Sequence, residues 1–203
     1  MSVVGRILPR LMGVVAVLAV AVRASAVEAT LVADAHVNSA RPAANSGAIS
    51  NLNVGGGYTS LLQFDLSSLP AGTTASQVSR AMLRLYCNRA DAPGLVSVHP
   101  VTASWGEYSV TYATLPTLNA ATQVFQVSQA GSYVSVDVTA LVQGWIADSS
   151  TNNGVGLTAG SATVQFDSKE NDLTGHSPVL DVVLVSRGPA GPKGDTEIGR
   201  AHV

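Results

Sequence analysis

Between Val27 and Val185, apolar residues recur at every second position in short runs, and Gly, Pro, Asn, Asp and Ser crowd the gaps between the runs. Period-two alternation bounded by turn residues predicts strands. Eight are read: "ATLVADAHV", "TSLLQFDL", "SRAMLRLYC", "LVSVHPV", "YVSVDV", "GVGLTA", "ATVQFDS" and "PVLDVVLV". This is the signature of a sandwich or barrel, and eight such strands suit two packed antiparallel sheets. One segment departs from it. In "VTALVQGWIADSS", Val138, Leu141, Val142 and Trp145 stand at spacings of three, four and seven, the period of a helix, and "TNNG" follows as a turn. A short helix capping one end of the sandwich is expected.

Alternation also assigns faces. In "SLLQFDLSSLP", Leu62, Phe64 and Leu66 share one face while Leu61, Gln63 and Asp65 share the other, with Pro70 and Gly72 making the turn beyond. In "SRAMLRLYC", inward Ala81, Leu83 and Leu85 leave Arg80, Met82, Arg84 and Tyr86 outward. The same parity lets Gln63, His99 and Lys169 face out from their own strands.

The two ends of the chain are of another kind. Arg6 and Arg10 precede the apolar stretch "LMGVVAVLAVAV", which is short for a bilayer span, and small residues follow at Ala24 and Ala26. Residues 1–26 are therefore expected to be a secretory signal peptide, cut after Ala26, with no membrane segment left after cleavage. Residues 27–187 form the sandwich. From Gly188 the chain reads "GPAGPKGDT", the start of a collagen-like repeat over 188–196. Glycine at every third position lets three polyproline-like chains pack on one axis, so a longer stalk of this kind implies a homotrimer, whereas three triplets alone are a disordered tail. Residues 197–203, "EIGRAHV", break the repeat and are read as translated sequencing adapter, a sequencing artefact without functional weight. The expected location is extracellular or on the cell surface.

Composition narrows the picture. The chain has 203 residues, 46% of them hydrophobic and 12% charged, enough for one domain with its own core. Its single cysteine, Cys87, has no partner within the chain, so no internal disulfide braces the domain. In "AMLRLYCN" that thiol is placed as a small buried hydrophobe. From Thr30 to Ser186 five basic residues face ten acidic ones, a net charge of -5. Such a domain does not draw polyanions from a distance and lacks the basic stripe of a nucleic-acid binder.

Five stretches, "SLLQFDLSSLPAGTTASQVSRAMLRLYC", "VSVHPVTASWGEYSVTYATLP", "VDVTALVQGWI", "VQFDSKE" and "PVLDVVL", come in an order that resembles the DNRLRE domain family, allied to carbohydrate-binding module family 96. The resemblance covers roughly residues 30–185. It implies a jelly-roll β-sandwich, found in secreted and surface bacterial proteins as a non-catalytic module, with polysaccharide as the ligand of some members and alginate as the named one. Gln63 stands where the family pattern has arginine, which removes one positive charge.

Candidate chemistry follows from the outward residues. Gln63, Arg84, Tyr86, His99 and Lys169 are the candidate sugar contacts, since guanidinium pairs bidentately with carboxylate and an aromatic face stacks on a pyranose ring. Trp105 and Trp145 can serve as platforms too, although tryptophans at sandwich ends more often bury the ring and bond the N–H to backbone. No cofactor is expected and no contiguous calcium loop is present; calcium is the alternative that the acidic excess raises, with Asp34 and Asp181 as its ligands if the first and last strands approach. No GxSxG, HExxH or phosphate loop is present, so no enzyme is expected. Two functions compete: a module that tethers its parent protein to glycan, and a structural head or adhesin on a trimeric collagen-like stalk with a protein partner.

Overall fold

The computed structural model describes residues 22–187, with side chains from Ala24 to Val185. The expected signal peptide lies almost wholly outside the described residues, and the collagen-like triplets and the terminal "EIGRAHV" lie entirely outside them. The elements are β1 (Val22–Asn38), β2 (Asn51–Val54), β3 (Tyr58–Asp65), β4 (Val78–Ala92), β5 (Gly94–Pro100), β6 (Gln123–Val127), β7 (Ser132–Asp137), α1 (Thr139–Ala147), β8 (Val155–Thr158), β9 (Thr163–Asp167) and β10 (Val179–Arg187). All eight expected strands are present. The two that the pattern missed, β2 and β6, each carry only two buried apolar residues: Leu52 and Val54, and Phe125 and Val127. Two alternations are too few to stand out from a loop.

The fold is an all-β sandwich with one short helix. Hydrogen bonding runs in the order β2-β9-β4-β10-β1-β3-β8-β5-β6, with β7 on β4 as well. One layer holds β2, β9, β4, β10 and β7, the other β1, β3, β8, β5 and β6, and the resolved pairings within each are antiparallel. Strand β4 is long enough to serve several partners. Its Met82 pairs with both Asp181 of β10 and Asp137 of β7, and its Cys87 with both Ser132 of β7 and Phe166 of β9.

The main core lies between the layers. Leu83, Leu85, Cys87, Phe166 and Leu180 meet Leu62, Phe64, Val98 and Leu157, all essentially without exposure. Each fully buried aliphatic or aromatic side chain of this kind contributes about 1.5–3 kcal/mol relative to an exposed one. Helix α1 closes one end, burying Val142 and Trp145, and starts where Asp137 Oδ1 accepts the Thr139 N–H at 2.9 Å. A second apolar cluster, with Ala35, Val37, Leu61, Val101 and Val110, lies outside the second layer, packed beneath Trp105, Leu115 and Leu118. The segment from Val101 to Leu118 therefore covers part of that outer face and leaves the outer face of the first layer as the open one.

Candidate functional site

The open face is built on β4. Strict alternation buries Ala81, Leu83, Leu85 and Cys87 and turns Arg80, Met82, Arg84 and Tyr86 outward, as expected from the sequence. Antiparallel register then sets Tyr86 directly opposite Tyr133 of β7 and Arg84 opposite Ser135, while Val179 of β10 flanks Arg84 on the other side. Directly paired residues share a face, so these side chains converge.

Three rings gather there. Tyr86 and Tyr133 meet edge to face with centroids 5.1 Å apart, and His176, from the loop between β9 and β10, lies 4.0 Å from Tyr86 and 5.7 Å from Tyr133. The two edge-to-face contacts of Tyr133 sit within the favourable range for aromatic pairs, and the tilted Tyr86–His176 contact is closer than that range. Behind them, His176 Nδ1 stands 3.4 Å from Oδ2 of the fully buried Asp167, whose carboxylate accepts hydrogen bonds from Asn88 and Thr174. Tyr133 remains 50% exposed, so the cluster presents an accessible ring supported from below. Arg84 adjoins it, with Cζ 5.9 Å from the Tyr133 centroid and Nε bonded to Asp181 Oδ2 at 2.7 Å. That pairing neutralises much of the guanidinium's charge.

The five sugar candidates do not form one surface. Arg84 and Tyr86 lie on the open face of the first layer. Gln63 and His99 are on the second layer, where Gln63 Nε2 donates to the Asn152 carbonyl and the two His99 ring nitrogens contact Asn119 O and Thr158 Oγ1. Lys169 does not face out from a strand at all: β9 ends at Asp167, and Lys169 turns into a cluster of acids. Tyr133 was legible as an outward residue of "YVSVDV", in which Val134 and Val136 point in, whereas nothing around His176 marks it. Trp145 is buried, and the half-buried Trp105 donates its Nε1–H to the Asn153 carbonyl at 3.0 Å, so neither offers a free platform. A concavity of about 410 Å³ between the Asp65–Thr73 turn and α1 has the buried Trp145 in its wall but no exposed ring.

The two expected metal ligands are likewise separate. Asp181 is engaged by Arg84, while Asp34 joins Glu107 and Glu170, one oxygen from each of these three lying within 4.8 Å of the others. Lys169 Nζ reaches Glu107 Oε1 at 2.7 Å and also contacts Glu170 Oε1. Burial pushes the Asp34 carboxyl up to about 8, with Glu170 adding to the shift and the Lys169 N–H opposing it. Burial works against the Lys169 ammonium, but Glu107 and Glu170 outweigh it and hold its pKa above the ordinary lysine value.

No curated protein matches the chain by sequence. Residues 25–183 match the profile of carbohydrate-binding module family 96, a span that takes in every strand that shapes the open face and the loop that carries His176. On that match the chain belongs to carbohydrate-binding module family 96.

Proposed function

We propose that the open face of the first layer binds an uncharged polysaccharide, and that the chain is an exported, non-catalytic module that attaches its parent protein to glycan. The exposed Tyr133 ring, backed by Tyr86 and His176, carries this reading. A ring of this kind stacks on the C–H face of a pyranose, while Ser135 and Asp137 on β7 and Arg80 on β4 supply polar groups for sugar hydroxyls beside it. The Arg84–Asp181 pair favours a neutral sugar over a uronate polymer such as alginate, since the guanidinium already has a carboxylate. Export rests on the signal-like residues 1–26.

Affinity electrophoresis through gels containing a panel of neutral polysaccharides, with alginate alongside, tests the proposal. At least one neutral polymer should retard the wild-type protein, and Tyr133→Ala should weaken that retardation about tenfold, the effect of losing one stacking contact of about 1.4 kcal/mol. Retardation unchanged in Tyr133→Ala would move the site elsewhere. A second reading, a head domain on a collagen-like stalk with a protein partner, draws on "GPAGPKGDT". It predicts a trimer by light scattering for a chain with an extended repeat, and no glycan binding.

A further inference from the structure

Three segments far apart in sequence converge at one edge of β1. Asp34 lies on β1, Glu107 in the loop after β5, and Glu170 in the turn after β9. The convergence is constructed by specific contacts. Asn45 Nδ2 donates to the carbonyls of Glu107 and Val110 at 2.8 and 2.7 Å, and Gly47 lies so close to the Glu107 carbonyl that any Cβ there would come within 2.1 Å of its oxygen. Glu107 Oε1 in turn accepts the Asp34 N–H at 2.8 Å. Asp34 Oδ2 accepts the Lys169 N–H at 2.8 Å.

What is left over points to a ligand. Asp34 is only 1% exposed, yet its Oδ1 receives no donor, and Glu170 Oε2 is also buried without a partner. Unpaired buried carboxylate oxygens are costly, and a lysine donating to Oε1 of each glutamate does not reach them. In the cation-bound state, with Asp34 having given up the proton that burial otherwise favours, three carboxylates and one ammonium carry a net charge of -2, which one divalent cation balances. Two ligands on opposite sides of a calcium ion stand about 5 Å apart, so oxygens within 4.8 Å of one another span one coordination sphere. We propose that Asp34, Glu107 and Glu170 form a site for a hard divalent cation, calcium by size, with Lys169 as a built-in counter-ion that yields to it. The Lys169 ammonium has a second seat at hand, since the exposed Tyr108 ring lies 5.8 Å from Nζ.

Calorimetric titration of calcium chloride into protein previously stripped with chelator reads the site directly. One calcium per chain should bind with a Kd of about 0.1–1 mM, the range of extracellular calcium modules, with a higher thermal midpoint in calcium than in chelator. Glu170→Gln, which alters a partly exposed side chain and spares the buried Asp34, should remain folded by circular dichroism and bind at least about tenfold more weakly. Lys169→Met, lacking the competing ammonium, should retain calcium uptake. No uptake by the wild-type protein up to about 10 mM calcium, above the weakest sites of this kind, would overturn the proposal. So would unaltered binding in a folded Glu170→Gln.

Discussion

His36 shows how one buried residue acquires a pH dependence. Its ring is 4% exposed, with Nδ1 2.9 Å from the Asn51 carbonyl, which can only accept, so Nδ1 carries the hydrogen. Gln165 Nε2 donates to Asn53 Oδ1 at 2.9 Å and thereby turns the Asn53 amide nitrogen toward His36 Nε2, 3.3 Å away. Nε2 must then accept, and a proton there would set donor against donor. Burial lowers the His36 pKa below its ordinary value. The unfolded chain takes up a proton near pH 6.5 where the native state resists it, so the stability His36 contributes is present above that pH and is lost as pH falls through its lowered native value. The gap in thermal midpoint between wild type and His36→Gln should therefore be widest at pH 8 and shrink toward pH 5. Asp34, with its raised carboxyl, titrates in both proteins and drops out of the difference. A gap that stays constant with pH would refute the tautomer assigned here. At this scale the outward row on β4 was legible because strict alternation decides it. His36's partners were not, because they lie on β2 and β9 and depend on a pairing that no local pattern displays.

Strand β1 shows why parity sometimes misleads. Leu31 pairs with Phe64 but Ala33 pairs with Gln63, so the chain bulges at Val32, which is 46% exposed. Before the bulge odd-numbered Ala29 enters the main core; after it odd-numbered Ala35 and Val37 join the outer cluster. Even-numbered Asp34 and His36 then share the face of Leu62 and Ser60 and become buried. A uniform alternation through "ATLVADAHV" keeps one parity throughout, so the burial of Asp34 could not be read from it. Helix α1 was legible for the opposite reason, since four apolar residues at helical spacing all find cover. Trp145→Ala should cost about 3–5 kcal/mol in denaturant unfolding, the range for truncating a buried tryptophan, whereas a cost below about 1 kcal/mol would show that α1 does not close the core. The turn before β8 is just as constrained. Gly154 has φ +82°, and a Cβ there would sit 2.1 Å from the Leu62 carbonyl oxygen. Gly154→Ala should lower the unfolding midpoint sharply or abolish soluble protein, because backbone strain and a clash with β3 act together.

The whole sandwich carries its charge in a way that bears on its ligand. Of the five basic residues between Thr30 and Ser186, Arg84 is paired with Asp181, Arg89 with Asp91, and Lys169 with Glu107 and Glu170. Arg80 on the open face lies near Asp137, close enough to help lower that carboxyl below its usual range after the Thr139 bonds have done so. The fifth, Arg41, is exposed in the loop after β1 and makes no ion pair among the described residues, so little uncommitted positive charge remains on the open face to steer a polyanion, and the acidic excess repels one. Attraction to the open face must then come from stacking and hydrogen bonds, which salt does not screen. Retardation by a neutral polysaccharide should accordingly hold steady as sodium chloride rises from about 0.05 to 0.5 M, a range over which the screening length falls from roughly 14 to 4 Å. Binding to alginate that is strong at low salt and vanishes across the same range would reverse the assignment, placing Arg80 and Arg84 ahead of Tyr133 as the groups that recognise the ligand.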